Sequence, residues 1–307
     1  MPNDITVSIW SISYNHEDYI EDCLNGLISQ RTTFKFEVVI GDDKSTDSTR
    51  KIIEKLSKSH SNTIKPVYQE RNIGVYSNSF ESVYPKLNGK YIAICEGDDY
   101  WTDKHKLQKQ VDFLEKNPEY AACYHRAMVV DEKNNLIKED KWPAYKDITK
   151  EDLFYCKGEM ITNTVMFRNE IPKEKFVAGI TNYDTLLWHL IGEHGSAKFL
   201  EEVKPSAYRI HKGGSWSSTE SKHRLFEAIK TYLVIAKNIR SQKKSEQPIR
   251  DKLHQLLHKH LYDALAAYNF KTYTLGLIEG LKRLEHFKAG FLLSHIKATV
   301  KRKRKLI

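Results

Sequence analysis

Short apolar runs alternating with helix-period stripes leave this chain few architectures. Ile5–Ser13 is rich in β-branched and aromatic residues and reads as a strand, which Tyr14-Asn15-His16 breaks. Over residues 19–29 the apolar positions are Tyr19, Ile20, Cys23, Leu24, Leu27 and Ile28, the stripe of an amphipathic helix. Residues 36–40 form a second strand ending at Gly41, residues 46–56 a helix with Ile52, Ile53 and Leu56 on one face, and Ile64–Tyr68 a third strand. Residues 78–87 read as helical, 91–95 as a fourth strand, and 104–116 as a helix that stops before Pro118. This order implies parallel βαβ units and an α/β sheet.

From Tyr120 the pattern changes. Residues 123–130 and 160–168 read as strands around a polar, Lys/Asp-rich stretch at 131–157, followed by a helix at 182–193 and short strands at 198–203 and 206–210. After Gly213-Gly214-Ser215 the sequence reads as helical to its end, which places a boundary near residue 219. The expected organisation is a catalytic domain at 1–219 and a basic α-helical extension at 220–307. Charge follows the same division. Of the net +9, residues 220–307 carry 20 Lys/Arg against 7 Asp/Glu, whereas residues 1–219 carry 29 against 33. An acidic partner is therefore expected for the tail, separate from any site in the front. Four cysteines without CxxC spacing argue against a disulfide framework or a zinc site. No basic stretch leads into an apolar core at the N-terminus, and no apolar run approaches the ~18 residues of a membrane span. A cytoplasmic protein is expected.

In a parallel sheet, ligands bind beyond the carboxyl ends of the strands. Three polar clusters fall there: Ser13-Tyr14-Asn15, the run Gly41-Asp42-Asp43-Lys44-Ser45-Thr46-Asp47, and Glu96-Gly97-Asp98-Asp99. The last delivers three acids directly after Tyr91-Ile92-Ala93-Ile94-Cys95. Hard divalent cations such as Mg²⁺ and Mn²⁺ prefer carboxylate oxygens and share their remaining coordination with phosphates, so a metal–diphosphate site is expected. The plain alternative is a solvated acidic turn that caps the next helix. In the second cluster, Ser45 or Thr46 can cap a helix with Asp47 in its first turn. That leaves Asp42 and Asp43 unexplained; a carboxylate at a strand end can accept the imide N–H of uracil.

The order Ser-Tyr-Asn, Asp42-Asp43-x-Ser45-x-Asp47, Arg71-Asn72-x-Gly74 and Glu96-Gly97-Asp98-Asp99-Tyr100-Trp101 resembles the family 2 glycosyltransferases over about residues 5–215. The resemblance implies a GT-A fold, a nucleotide-sugar donor that is usually UDP-linked, a divalent metal (Mn²⁺ or Mg²⁺) and inversion at the anomeric carbon. Asp42 then resembles the acid that reads uracil, with Ser13, Tyr14 and Arg71 lining the same pocket. Asp98 and Asp99 resemble the DxD element: Asp99 is expected to bind the metal and Asp98 to hold or bridge to the ribose, while Glu96-x-Asp98 offers a second register. Asp184, in Asn182-Tyr183-Asp184, resembles the catalytic base, although Tyr183 stands where the family usually has Glu. Tyr208-Arg209-Ile210-His211-Lys212 resembles the segment that closes over the diphosphate, with His211 as a further metal ligand and Arg209 or Lys212 on phosphate. Trp101 is expected either to stack on the acceptor sugar or to be a core aromatic. A helix N-cap is the plain alternative for Asp184.

The expected acceptor is a glycan or a lipid-linked precursor of a surface polysaccharide. Phe287, Phe291, Leu292, Ile296 and Val300 form a helical stripe running into Lys301-Arg302-Lys303-Arg304-Lys305, the pattern of a helix lying on an anionic membrane surface. Two other functions fit parts of the pattern. A nucleotidyltransferase would want a Gly-rich basic loop after the first strand, where this chain has Ser13-Tyr14-Asn15-His16-Glu17-Asp18. A nucleic-acid-binding protein would work through the basic tail, yet no nucleic-acid module is recognisable and no nucleic-acid partner is expected.

Overall fold

The computed structural model describes residues 4–140, 145–214 and 221–266. The chain divides into two compact units, Met1–Ala178 with Leu187–Ser217, and Gly179–Leu186 with Ser218–Ile307. In chain order the first half of the first unit runs β1 (Ile5–Ser13), α1 (Ile20–Ile28), β2 (Lys35–Asp42), α2 (Thr49–Ser59), β3 (Ile64–Tyr68), α3 (Gly74–Tyr76), β4 (Tyr91–Ile94) and α4 (Lys106–Lys116). It continues with β5 (Tyr120–Tyr124), β6 (Ala127–Val130), β7 (Leu136–Lys138), α5 (Lys150–Phe154) and β8 (Met166–Arg168). Then come α6 (Tyr183–His194), β9 (Ser196–Phe199) and β10 (Ser206–Arg209). The second unit holds α7 (Ser221–Ser241) and α8 (Gln247–Ala266), and the first turn of α6 belongs to it.

Seven strands form one sheet in the order β3-β2-β1-β4-β8-β5-β9, and β10-β6-β7 form a second. The pairs β3-β2, β2-β1 and β1-β4 are parallel, as the alternation requires, while β8 enters antiparallel between β4 and β5. The central strands are buried on both faces, which explains their nearly unbroken apolar runs. Helix α1 covers the sheet with Ile20, Cys23, Leu24 and Leu27, each fully buried, at i, i+3, i+4 and i+7. Polar groups inside β1 find partners: Ser8 Oγ donates to Glu37 Oε1 (2.6 Å) and accepts from the Gly89 N–H (2.8 Å).

The structure departs from the sequence reading in four places, the first being the strand expected at 198–203, which is β9, Ser196–Phe199. Residues 123–130 are two strands, because the chain leaves the large sheet after Tyr124 and joins the small one at Ala127. Of residues 160–168 only Met166–Arg168 is a strand, preceded by a 3-10 turn at Thr162–Thr164. The helix expected at 78–87 begins at Gly74 and runs on as a π-helix, Ser77–Val83, and a 3-10 turn, Tyr84–Lys86. Asp43 sets that start: its Oδ1 accepts the Ile73 N–H (2.7 Å) and its Oδ2 the Gly74 N–H (2.9 Å).

Lys106, at the start of α4, is fully buried in this core. Its ammonium donates to Gln110 Oε1 (2.6 Å) and lies 4.2 Å from the centre of the Trp101 ring. Burial pushes its pKa from 10.5 down to about 7. A lowered lysine pKa means that the unfolded chain binds more protons between these values, so stability rises with pH through this window and the full cost is present below about 7. Lys106→Met is expected to stabilise the protein at pH 7 by up to roughly 4 kcal/mol, less about 1 kcal/mol for the lost hydrogen bond. It should also flatten the rise in stability toward alkaline pH. Urea denaturation at neutral and alkaline pH checks both; an unchanged pH slope would show that Lys106 is not the group responsible.

In the second unit, α7 buries Leu225, Ile229, Tyr232, Ile235, Ala236 and Ile239, and α8 buries Ile249, Leu253 and Leu257. Glu227 on α7 accepts from Thr181 Oγ1 (2.6 Å) and Lys230 Nζ (2.6 Å), which ties the segment before α6 to α7. No helix among the described residues is long and apolar enough to cross a membrane.

Candidate active site

Strands β1 and β2 end side by side, with Ser13 paired to Asp42. Beyond β4 the chain stays alongside β1, the Cys95 N–H donating to Trp10 O (3.1 Å) and the Gly97 N–H to Ile12 O (2.9 Å). Tyr100 and Ala207 then exchange backbone hydrogen bonds (3.3 and 2.9 Å), which brings the end of β10 against Asp98 and Asp99. The loop after β1 is fastened to the loop after β2. Asn15, at φ 55°, donates its N–H to Ser45 Oγ (3.0 Å), the Thr46 N–H donates to Asn15 Oδ1 (2.8 Å), and the His16 N–H donates to Thr49 Oγ1 (2.8 Å). Asp47 accepts from the Glu17 N–H (3.1 Å) and the Thr49 N–H (2.9 Å), so Ser45 and Asp47 build the loop framework.

These crossings gather His16, Asp98 and His211, whose ligating atoms lie within 4.8 Å of one another. His211 Nε2 sits 3.0 Å from Asp98 Oδ2. Asp98 Oδ1 and His16 Nδ1 are both buried without a hydrogen-bond partner. Burial alone would raise the pKa of Asp98, but the hydrogen bond from His211 and the charges of His16 and His211 outweigh it and hold the carboxyl below its usual range. Burial, only partly offset by Asp98, lowers the pKa of His16. An ionised carboxylate beside a neutral imidazole is what a divalent cation binds. A carboxylate oxygen and an imidazole nitrogen buried without partners also suit an ion better than a closed hydrogen-bond network.

Asp99 is turned away from this group. It is 2% exposed, accepts the Arg209 N–H on Oδ1 (2.9 Å) and Asn163 Nδ2 on Oδ2 (2.9 Å), and burial together with the Asp98 charge pushes its pKa well up. The geometry therefore brings Asp98, where Asp99 was expected, into the group with His211 that could hold a metal ion. Arg209 also differs from expectation. Its buried guanidinium donates to Asp98 O (2.8 Å), Asn134 Oδ1 (2.6 Å) and Asp22 Oδ2 (3.3 Å) and packs over the rings of Tyr19 and Tyr100, so it braces the site from within. Lys212 is exposed and its backbone N–H donates to Glu132 Oε1 (3.0 Å).

At the β2 end, Asp42 is fully buried, accepting Arg50 Nε on Oδ2 (2.7 Å) and the Ser45 N–H on Oδ1 (3.3 Å). Ser13 Oγ is buried and unpaired, Tyr14 is 43% exposed, and exposed Arg71 lines a shallow pocket with Asn72, Ile73, Ser77 and Glu81. Residues 8–172 match Glycosyl transferase family 2. The chain belongs to this family. The sheet with its parallel core and the helical C-terminal region of this family 2 glycosyltransferase form the expected GT-A fold. The S. aureus TarS fragment 1–349 in complex with UDP-GlcNAc superposes with a TM-score of 0.65 at 18% identity, over 89% of this chain and 80% of that one. An uncharacterized protein of Mycobacterium tuberculosis is 36% identical over 225 residues, 72% of this chain but only 63% of the relative's length. The Escherichia coli UDP-Glc:alpha-D-GlcNAc-diphosphoundecaprenol beta-1,3-glucosyltransferase WfaP is 36% identical over 212 residues, 67% of this chain and 78% of WfaP.

In this glycosyltransferase Asp184 is exposed in the first turn of α6, its Oδ1 accepting the Thr185 N–H (2.7 Å). Trp101 is a core aromatic, 4% exposed, with its Nε1 donating to Asn163 O (2.7 Å), so it presents no face to a sugar. The residue that sequence reasoning missed is His16. Its signal was its place two residues beyond Tyr14, in a loop already assigned to the site.

Proposed function

We propose that this chain moves one sugar from a UDP-sugar onto a glycan or lipid-linked oligosaccharide acceptor in surface polysaccharide synthesis, with inversion at the anomeric carbon. The carrying observation is the Asp98–His211 pair, 3.0 Å apart at the carboxyl ends of the parallel strands, with an orphaned buried oxygen on Asp98. WfaP, whose name states a UDP-Glc donor and a diphosphoundecaprenol-linked acceptor, supports the same substrate classes.

Asp42, Ser13, Tyr14 and Arg71 bind the nucleoside in this reading. Asp98 and His211 hold Mn²⁺ or Mg²⁺, and Lys212 reaches the diphosphate. The bound cation supplies charge stabilisation to the departing diphosphate. Asp184 takes the proton of the acceptor hydroxyl as that oxygen attacks the anomeric carbon and UDP leaves. Catalysis belongs to residues 1–219, and 220–307 form the helical extension. Release of UDP from a panel of UDP-sugars, with Mn²⁺, with Mg²⁺ and with chelator, tests the reading; no release from any of them would sink it.

We further place the protein at the cytoplasmic face of a membrane, held by its basic C-terminal segment. The apolar stripe and the basic run lie outside the described residues, so sequence carries this part. Six basic residues and no acid occupy 297–307. Each basic residue near an anionic surface contributes about 1 kcal/mol. Deleting 297–307 is expected to abolish sedimentation with anionic vesicles at low salt while sparing hydrolysis of the free UDP-sugar. A full-length protein that ignores such vesicles would remove the membrane from the proposal.

A further inference from the structure

We infer that His16 is a third protein ligand of the catalytic cation, making the site a two-imidazole, one-carboxylate set that selects Mn²⁺-like transition metals over Mg²⁺. This rests on the reading above that Asp98 and His211 hold a divalent ion.

Position comes first. The ligating atoms of His16, Asp98 and His211 lie within 4.8 Å of one another, close enough for one ion to draw together by small side-chain rotations. The buried atoms without partners include one on His16, Nδ1, and one on Asp98, Oδ1. Metal-bound histidines normally give their second nitrogen to a hydrogen-bond partner and the first to the metal. A buried Nδ1 with no protein partner, in a group of three ligating side chains, therefore points to coordination.

Confinement comes second. A side chain at Gly97 would meet His16 Nδ1, Ile20 Cδ1 and Ser13 Cβ at 3.0 Å each, so the turn after β4 packs directly on the imidazole. The His16 backbone is fastened as well, its N–H to Thr49 Oγ1 (2.8 Å) and its carbonyl to the N–H groups of Tyr19 (2.9 Å) and Ile20 (2.8 Å). The ring is thus fixed from both sides, and the ligand set needs little ordering when the ion arrives.

Ligand chemistry sets the selectivity. Mg²⁺ favours oxygen ligands and retains its waters, whereas imidazole suits the later first-row metals. Nitrogen donors raise affinity for every first-row transition ion, Mn²⁺ least among them but still above Mg²⁺, and three protein ligands leave positions open for diphosphate oxygens.

Pulsed electron paramagnetic resonance on the full chain with Mn²⁺ and UDP, using ¹⁵N-histidine protein, counts the bound nitrogens. Two coordinated imidazoles are expected in the wild type and one in His16→Ala, with Mn²⁺ affinity falling at least ~10-fold in the variant and Mg²⁺ affinity falling less. One imidazole in the wild type overturns the inference whatever the variant does, and so does unchanged Mn²⁺ affinity in His16→Ala. No Mn²⁺ binding by the wild type, with or without UDP, overturns both the inference and the metal reading. Two imidazoles in a protein that releases no UDP from any UDP-sugar support the ligand assignment and overturn the donor reading alone.

Discussion

Asp98→Ala is expected to remove Mn²⁺-dependent UDP binding, lowering it by ~100-fold or more, while leaving the fold intact. Among the described residues the Asp98 side chain is hydrogen-bonded to His211 (3.0 Å) and has one oxygen without a partner, so its loss breaks no extended buried network. Loss of a metal ligand should cost at least the ~10- to 100-fold that loss of a ligand's supporting hydrogen bond typically does. Asp99→Ala should behave in the opposite way. It leaves the Arg209 N–H and one of the two Asn163 amide N–H groups unpaired in the interior, at about 1–3 kcal/mol each, the other Asn163 N–H keeping Ala207 O (2.9 Å), and thus costs stability first. Calorimetry with UDP and Mn²⁺ beside thermal unfolding separates the two. If Asp99→Ala lost the metal at full stability while Asp98→Ala kept it, the assignment of ligands would be reversed.

Asp184→Asn is expected to keep the fold and UDP-sugar binding but to lose transfer by roughly 10²–10⁴-fold, the contribution of a general base. The change is nearly isosteric and the side chain is exposed, so stability should move little. The Asp184 carboxylate accepts the Thr185 N–H through Oδ1, which an amide oxygen can also accept. Single-turnover transfer to an acceptor, measured beside UDP-sugar affinity, gives the result. Near-normal turnover would take Asp184 out of the mechanism and leave it a helix-terminal residue.

Local pattern carried the first half of this protein. A strand buried on both faces is mostly apolar, and a helix lying on it shows a stripe, so β1 to β4 and the helices α1, α2 and α4 were readable by period, whereas the segment from Gly74 to Lys86 was read as helical without its π and 3-10 turns. Strand ends were readable for the same reason: Ser13 and Asp42 are the last residues of β1 and β2, and the acids after Cys95 lie just beyond β4, each where the apolar run stops. That fixed which loops share an edge and, with the motif order, the family.

Partner choice was decided only in three dimensions. Within residues 123–130 the polar pair His125-Arg126 marks a break, but that the chain changes sheets there lies in the neighbours the two apolar strands meet. The same holds for the acids. Asp98 and Asp99 are adjacent and chemically identical, but consecutive side chains leave a turn in different directions. One meets His211, and the other meets Arg209 N–H and Asn163. Arg209 resembles a phosphate ligand in sequence, yet packing between Tyr19 and Tyr100 makes it a brace. The sequence by itself determined the βαβ core, the acidic strand ends and the family. Only the tertiary structure decided which acid faces His211 and that His16 stands beside the pair, because both depend on side-chain direction and on segments nearly two hundred residues apart in a sequence whose periodicities are local.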